Sequence, residues 1–328
     1  MFLSKINTKI IIILLLVFTS CIFYIFNIKD NGISTNMFLD NVSNNSINVY
    51  VRPGDSIQQA INNTSSGGTV IIYPGLYKDN LVVDKPLVII SKPEETTDTI
   101  IQAADPEKDI FYVLADNVTI SGFNITETER VGIHCSGSYS NITGNKLSYN
   151  KYGVYLEDSN RNILEKNEVI NNSLGICLKS SNDNQLKNNK VSGVGIFVGY
   201  HNEAEGISLE NSDNNKLTGN AVSNLWDGVN LTESSNNELN NNSILHNYFS
   251  LTLINSNNNK VLNNTIVKRG YSYSVVLANS QNNTLQGNTG GLNTEVKIFY
   301  NFDSTNNTLE GEQYTVNEQG TGGVYRVK

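Results

Sequence analysis

The 328-residue chain has little charge and very few cysteines, methionines and histidines. Charged residues make up 16% of the sequence, the formal net charge is -8, and lysine and arginine form no cluster. Because binding to a phosphate backbone needs a basic patch, this composition excludes nucleic acid as a partner. The polarity comes instead from uncharged asparagine, serine and threonine. The length allows one large domain or two ordinary ones.

One long apolar run lies at the N-terminus. The 19 residues from Ile10 to Ile28 contain no charge and follow Lys5 and Lys9. This run is long enough to span a bilayer, and the two lysines favour a cytoplasmic N-terminus. We therefore predict a single transmembrane anchor at 10–28, with the rest of the chain outside the cell.

A cleaved signal peptide is the alternative for this run. The stretch "VFTSC" resembles a bacterial lipoprotein box that ends at Cys21, and cleavage there would give a secreted protein. In the membrane-anchored interpretation, residues 1–9 are cytoplasmic, 29–48 form an Asn/Ser-rich stem, and 49–328 form the extracytoplasmic domain. Both interpretations place that domain outside the cytoplasm.

Asparagine is the most conspicuous residue of the remaining sequence, and it recurs at a constant step. A pattern of Asn, x, an aliphatic residue, two residues, Asn, x and a second aliphatic residue begins at Asn162, Asn184, Asn215, Asn237 and Asn259. The steps are 22, 31, 22 and 22 residues, and related segments begin 22 and 44 residues before the first. The register of the interleaved aliphatic residues argues against the alternative of a disordered, low-complexity tract.

Each repeat contains a second apolar segment, such as "GVYL" at Gly153 or "GICL" at Gly175. The apolar residues alternate in both segments, which is the period of a β-strand and not of a helix. Two or three short strands in 22 residues, with turns too short for a helix, predict one coil of a parallel β-solenoid. Equivalent asparagines would stack at a bend, because asparagine tolerates left-handed backbone angles and its amide can bond to the next coil. The predicted ladder consists of Asn145, Asn167, Asn189, Asn220, Asn242, Asn264 and Asn288.

These repeats resemble the right-handed parallel β-helix of the pectin-lyase-like superfamily, in particular its NosD-like carbohydrate-binding and sugar-hydrolase repeats. The resemblance covers about residue 48 to the C-terminus and includes the entry segment "YVRPGDSIQQAINNTSSGGTVIIYPGLY". It implies a β-helix of about ten coils. In the entry segment Asp55 could cap a short helix, with Ile57, Ala60 and Ile61 as its apolar stripe.

Variable turns precede each "GVYL"-type strand, and the insertions that lengthen two of the steps also enter there. The turns hold the single tryptophan and many other aromatic residues. Aromatic faces beside carboxylates are what a sugar-binding groove needs, although such aromatics can also pack beneath loops. The ligand-binding candidates are Tyr149, Tyr152, Phe197, Tyr200, His201, Trp226, His246, Tyr248, Arg269, Tyr271 and Tyr273.

Three functions stay open at this point. The first is binding of polysaccharide or of glycoprotein glycans in a cell envelope, as the abundance of such repeats in archaeal surface proteins implies. The second is a glycoside hydrolase or polysaccharide lyase, with Glu203, Glu205 and Asp227 as catalytic candidates because hydrolysis needs two nearby carboxylates. The third is an architectural envelope component coated with glycans. The Asn-x-Ser/Thr sequons of a glycoprotein occur at Asn41, Asn44, Asn117, Asn124, Asn141, Asn171, Asn230, Asn241, Asn263, Asn282 and Asn306, among others.

We expect no metal site and no cofactor. The name NosD implies copper delivery, but copper sites need clustered His, Met or Cys side chains. His134, His201 and His246 lie in different coils, and the repeat alignment turns Cys135 inward and Cys177 outward. The two cysteines are therefore neither a ligand pair nor within disulfide reach.

Overall fold

Short strands separated by tight corners make up the computed structural model of this chain. It describes residues 48–92, 98–193, 204–270, 273–291, 296–300, 304–311, 314–318 and 325–327. These residues form an all-β parallel solenoid of about eleven turns with a repeat of about 22 residues, one turn more than predicted. Equivalent strands of successive coils pair in parallel and in register, so the coils stack into three long sheets.

Most coils contribute one strand to each sheet, and the longest of the three sheets is called here sheet A. Its strands are Asn48–Val51, Thr69–Ile72, Val88–Ser91, Thr119–Ser121, Asn141–Thr143, Ile163–Glu165, Gln185–Lys187, Lys216–Thr218, Glu238–Asn240, Lys260–Leu262, Thr284–Gln286, Asn307–Glu310 and Tyr325–Val327. Most are only three residues long, and the middle residue points into the core.

Sheets B and C complete the coil. Sheet B consists of Gly75–Lys78, Thr99–Gln102, Asn124–Thr126, Lys146–Ser148, Glu168–Ile170, Lys190–Ser192, Ala221–Ser223, Ser243–Asn247 and Thr265–Lys268. Sheet C consists of Leu81–Val83, Phe111–Val113, Val131–Cys135, Tyr152–Glu157, Leu174–Lys179, Glu205–Glu210, Asp227–Thr232, Phe249–Ile254, Val275–Ala278, Val296–Tyr300 and Tyr314–Glu318.

The interior consists of columns of aliphatic side chains, one residue per coil in each column. Leu164, Leu186 and Leu217 are stacked in sheet A, for example, and are at most 1% exposed. Burying each such side chain contributes roughly 1.5–3 kcal/mol. Because adjacent coils supply both the main-chain partners and the apolar contacts, the stability of each coil depends on its neighbours.

One short helix, α1 (Ile57–Asn63), packs on the first strands of sheets A and C. The predicted apolar stripe is confirmed, since Ile57, Ala60 and Ile61 are buried. The predicted cap was wrong by one residue. The N-cap is Ser56, whose side chain accepts a hydrogen bond from the Gln59 N–H, whereas the Asp55 carboxylate accepts one from the Arg52 N–H.

The asparagine ladder is present at the corner between sheets A and B, called here the A–B corner. Each ladder side chain is buried, and from Asn167 onward its Oδ1 accepts from the backbone N–H and from the Nδ2 of the preceding ladder residue. Asn189, for example, donates to Asn220 Oδ1 through both groups, at 2.9 and 3.0 Å. The left-handed angles, however, belong to the residue before each ladder position, such as Lys166 or Asn241.

A second asparagine ladder lies at the corner between sheets C and A. Its asparagines are the first residues of the sequence pattern, but their stacking was not predicted. Its members are Asn162, Asn184, Asn215, Asn237, Asn259, Asn283 and Asn307. A column of buried serines runs beside it, each backbone N–H donating to the serine hydroxyl of the next coil, as from Ser181 to Ser212 at 3.0 Å. Both ladders satisfy backbone groups that no strand partner reaches.

The predicted N-terminal segments lie outside the described residues. These are the cytoplasmic stretch 1–9, the apolar run 10–28 and the stem up to residue 47. Within the part of the chain that the structure describes, no helix is both long and apolar enough to cross a membrane.

Candidate functional site

The variable turns lie at the corner between sheets B and C, called here the B–C corner. The sheet registers place the nine-residue insertion between Ser192 and Glu205, and a net two-residue insertion between Val267 and Val275. At this corner the buried asparagines form only an interrupted ladder. Asn150 donates to Asn172 at 2.9 Å, but Leu225 occupies the position one coil before Asn247.

Part of the candidate set lies outside the described residues. These candidates are Phe197, Tyr200, His201, Glu203 and Tyr271. The described candidates fall into two groups along the solenoid. Tyr149 and Tyr152 lie towards the N-terminal end, and the others lie two to five coils further on, namely Glu205, Trp226, Asp227, His246, Tyr248, Arg269 and Tyr273.

Trp226, Tyr248 and Phe249 form a compact aromatic cluster in the second group. Because Trp226 and Tyr248 are separated by one 22-residue step, their rings lie over each other, with centroids 4.2 Å apart and planes 11° apart. Phe249 meets both rings edge-on, at 6.1 Å from Trp226 and 4.8 Å from Tyr248. Tyr248 is 36% exposed, so the cluster has a face open to solvent.

Glu205 and Asp227 form a carboxylate pair beside this cluster. They are register partners at the start of neighbouring strands of sheet C, and the next residue in the same column is Phe249. Adjacent strands lie about 4.8 Å apart. Burial, and after it the negative charge of Glu205, raises the pKa of Asp227 to about 6. A carboxyl with a raised pKa beside a second carboxyl is the arrangement that acid–base chemistry uses.

The remaining candidates are on the surface of the corner. His246 and Arg269 are exposed, and Tyr273 is half-buried two residues before the strand of sheet C that begins at Val275. His246 has a left-handed backbone angle, with φ at 59°. The structure therefore brings Glu205, Asp227, Trp226 and Tyr248 together, with Phe249 as a further member that the candidate set omitted.

Tyr149 belongs to a different surface. It is 64% exposed and lines an open groove of about 560 Å³ on the outer face of sheet B, together with Leu76, Ile100 and Glu127. Tyr152 instead contacts Tyr155 on the outer face of sheet C, with ring centroids 5.3 Å apart. The two tyrosines that the sequence places side by side in one turn thus face different sheets.

A buried histidine, which the sequence analysis considered only as a copper ligand, organises the outer face of sheet C near Tyr152. His134 is 8% exposed, and its ring lies between those of Tyr112 and Tyr155, with centroids 4.8 and 5.1 Å away. Its Nδ1 lies 2.8 Å from Asp109 Oδ2. Its Nε2 lies 3.4 Å from Glu157 Oε2, within ion-pair distance but outside hydrogen-bond geometry.

This group, called here the His134 centre, holds an exposed carboxylate in place. Tyr155 donates its hydroxyl to Glu157 Oε1 at 3.2 Å, while the side chain of Glu157 remains 41% exposed. Burial opposes ionisation of Asp109, but the contact with His134 outweighs it and lowers the pKa of that carboxyl. The sequence contains a signal for part of this centre, because the repeat alignment places His134 in the same outward-facing column as Tyr155. Asp109 lies outside the repeat pattern.

Comparisons with known proteins agree with this architecture. Residues 61–203 match the family model described as periplasmic copper-binding protein (NosD), and residues 175–314 match the model described as right handed beta helix region. The chain is a right-handed parallel β-helix protein. The two matches, which overlap at residues 175–203, confirm the resemblance inferred from the repeats, and the periplasmic description of the first family agrees with an extracytoplasmic domain. No curated protein sequence matches the chain.

Solved structures share the fold of this β-helix at low sequence identity. The DFA-IIIase from Arthrobacter chlorophenolicus A6 in complex with DFA-III has a TM-score of 0.63 and 14% identity, over 84% of this chain and 85% of the other. The Dettilon tailspike protein has a TM-score of 0.60 and 16% identity, over 85% and 68%. The mannuronan C-5 epimerase AlgE4 A-module from Azotobacter vinelandii has 0.55 and 13%, over 79% and 89%.

The described side chains do not fit a copper ion, despite the description of the NosD model. No three His, Cys, Asp or Glu side chains in the described ranges are arranged to hold a metal. His134 directs both ring nitrogens at carboxylates. The Cys135 thiol lies in the core, 3.1 Å from Gly137 O, whereas Cys177 is buried in the outward column of His134, one coil beyond Tyr155. Neither cysteine has a disulfide partner among the described residues.

Proposed function

We propose that this β-helix lies outside the cytoplasm and binds polysaccharide or glycoprotein glycans of the cell envelope through the B–C corner. Residues 10–28 would anchor it in the membrane. The observation that carries the proposal is the aromatic cluster of Trp226, Tyr248 and Phe249 beside the carboxylate pair. The apolar C–H faces of a sugar pack on aromatic rings, and its hydroxyls donate to carboxylates.

The repeat favours a polymer over a single sugar. Stacked coils repeat the same turn at a spacing of about 4.8 Å along the solenoid axis. Tyr152, the carboxylate pair and the aromatic cluster lie along the same edge of sheet C, and Leu174 occupies the coil between Tyr152 and Glu205. An extended chain lying along that edge would meet each group in turn, which a monosaccharide could not do.

Tryptophan fluorescence tests the binding function, because Trp226 is the single tryptophan of the chain. Envelope polysaccharides and a glycan array are applied to the purified protein, and each hit is titrated. We expect Trp226→Ala and Tyr248→Ala, measured by calorimetry, to weaken binding about tenfold or more, the loss typical of an aromatic anchor. Tyr50→Ala removes a tyrosine that is 50% exposed on the first strand and serves as the matched control.

The result that would sink the proposal is also specific. If no glycan binds, or if both corner variants bind as the unmodified protein does, the B–C corner is not a glycan-binding surface. An architectural role would then account better for the fold.

Hydrolysis of a glycan is the second candidate function. It is favoured by the raised pKa of Asp227 beside Glu205, because glycoside hydrolases use one protonated and one ionised carboxyl. The fold is shared with the proteins described above, of which two are named as enzymes. The readout is release of reducing ends from a bound polysaccharide, and this release should disappear in Asp227→Asn and in Glu205→Gln.

A further inference from the structure

The described residues around Asp227 do little to neutralise its charge. Leu174 precedes Glu205 in the column that the two acids share, and Phe249 follows Asp227, so the flanking coils place apolar side chains at the equivalent positions. Asp227 makes no salt bridge with a described lysine, arginine or histidine. A half-buried carboxylate beside another carboxylate is electrostatically unfavourable.

The aromatic cluster is an independent second feature of the same place. Trp226 precedes Asp227 in the chain, and Phe249 is the register partner of Asp227. The stacked rings of Trp226 and Tyr248 present a π-surface next to the carboxylates, with Tyr248 open to solvent. Ring faces attract cations, and the attraction grows where water is partly excluded. Carboxylates and rings together therefore select a positively charged ligand with an apolar body.

A metal ion does not meet this description. Calcium and magnesium take six or more oxygen ligands, and two carboxylates among aromatic rings cannot supply them. An organic ammonium group satisfies both features, because it pairs with the carboxylates while its carbon skeleton packs on the rings.

We propose that the B–C corner binds an amino-sugar polymer through its free, protonated amines, with Glu205 and Asp227 as the ammonium site and Trp226 and Tyr248 as the ring platform. This inference rests on the proposed glycan-binding function and specifies its ligand class. It also predicts which polymers are rejected. A polyuronate would place its carboxylates against Glu205, Asp227 and, at the other end of the same strand, the exposed Glu210.

Three oligosaccharides of equal length separate these possibilities. The protein is titrated with a fully deacetylated glucosamine oligomer, its N-acetylated counterpart and an oligogalacturonate, at a pH where the amines are largely protonated and Asp227 is at least half ionised, and at two salt concentrations. Trp226 fluorescence and calorimetry report binding. We expect the deacetylated oligomer to bind about tenfold or more tighter than the acetylated one, as one or two charge-assisted hydrogen bonds would give. The oligogalacturonate should not bind measurably.

Variants of the two acids test which residues cause the preference for the deacetylated oligomer. Asp227→Asn and Glu205→Gln should each reduce binding of the deacetylated oligomer towards that of the acetylated one, while affinity for the acetylated oligomer changes little. Glu210→Gln removes the same charge from the same strand outside the aromatic cluster, and it should keep the preference. Thermal unfolding of each variant checks that the fold is retained.

The outcomes are distinguishable from failure of the glycan-binding function itself. Equal or tighter binding of the acetylated oligomer, or of the oligogalacturonate, overturns the amino-sugar proposal and leaves glycan binding intact. An equal loss in Glu210→Gln and Asp227→Asn reduces the effect to diffuse charge and also overturns it. If none of the three oligomers binds, and the glycan array is negative too, both proposals fall.

Discussion

The A–B corner and the B–C corner turn the same chain through a similar bend by opposite means. At the A–B corner an unbroken row of buried asparagines, from Asn145 to Asn288, joins each coil to the next. At the B–C corner the row is interrupted, insertions enter, and a half-buried carboxylate lies beside a second one. The first corner stabilises the solenoid, whereas the second contains the groups to which we assign the proposed ligand site.

Removing a ladder asparagine should give the largest effect on stability. Asn220 accepts from the N–H and Nδ2 of Asn189, and its own Nδ2 donates to Leu186 O at 2.9 Å and to Asn242 Oδ1 at 3.0 Å. In Asn220→Ala these buried partners lose their bonds, at about 1–3 kcal/mol for each group left unsatisfied. We expect the free energy of unfolding to fall by about 4 kcal/mol, measured by chemical denaturation.

The control for this prediction comes from the variable corner. Tyr149 is 64% exposed and already has a left-handed backbone angle, so Tyr149→Ala removes a large side chain with little burial. Its cost should stay below about 1 kcal/mol, as for most surface substitutions. If Asn220→Ala and Tyr149→Ala were equally destabilised, the A–B corner would not contribute more to stability than the B–C corner.

A smaller but still clear loss should follow from a methyl group at Gly206. Gly206 is the second residue of its strand in sheet C, and it stacks on Gly175 and Gly228, the equivalent glycines of the neighbouring coils. A Cβ there would lie 2.3 Å from Gly228 O and 2.5 Å from Val222 Cγ1, distances that real side chains do not show. Because a backbone carbonyl of the next coil must move, Gly206→Ala should cost about 2–3 kcal/mol by overpacking.

Gly270→Ala tests whether the effect belongs to the stacked column. Gly270 lies in a turn of the same corner and has φ at 62°, and no atom of the described residues lies within 4 Å of the position that a Cβ would take there. Only the left-handed angle opposes alanine at this site, at about 1 kcal/mol. A loss at Gly270 as large as at Gly206 would contradict the packing explanation, and the midpoint of denaturation distinguishes the two.

The contrast between the corners also explains what could be predicted from the sequence. The ladder was predictable because each member repeats at the 22-residue step, and strand, inward residue and ladder position follow from one alignment. The left-handed residue before each ladder asparagine was misassigned by one position, since asparagine occupies both places in several coils. The helix cap was misassigned by one residue for a similar reason, because Asp55 and Ser56 are both good capping residues.

The candidate site was less predictable because it depends on side-chain contacts that break the repeat. The step of 22 correctly places Trp226 over Tyr248 and Glu205 beside Asp227. It does not reveal that the side chain of Tyr149 lies on the outer face of sheet B, whereas that of Tyr152 lies on the outer face of sheet C. Nor does it reveal the His134 centre, because Asp109 lies before the segments in which the repeat was recognised.

The smallest predicted effect has the opposite sign. Burial, and then the charge of Glu205, raises the pKa of Asp227 from 3.8 to about 6. The folded protein thus binds a proton more tightly than the unfolded chain does, so this carboxyl contributes least to stability when it is ionised. Its contribution is lost as pH rises from about 4 through 6, and above that range the full penalty applies.

Asp227→Asn removes that penalty and keeps the size of the side chain. Discounted for partial exposure, the gain in the free energy of unfolding at pH 7.5 should be about 1–2 kcal/mol, and it should nearly vanish at about pH 3, where Asp227 is mostly protonated in both states. Denaturation at the two pH values measures the difference, and Glu210→Gln controls for the loss of one negative charge. If Asp227→Asn were less stable than the unmodified protein at pH 7.5, Asp227 would contribute to the stability of the solenoid. The B–C corner would then stabilise the fold as the A–B corner does.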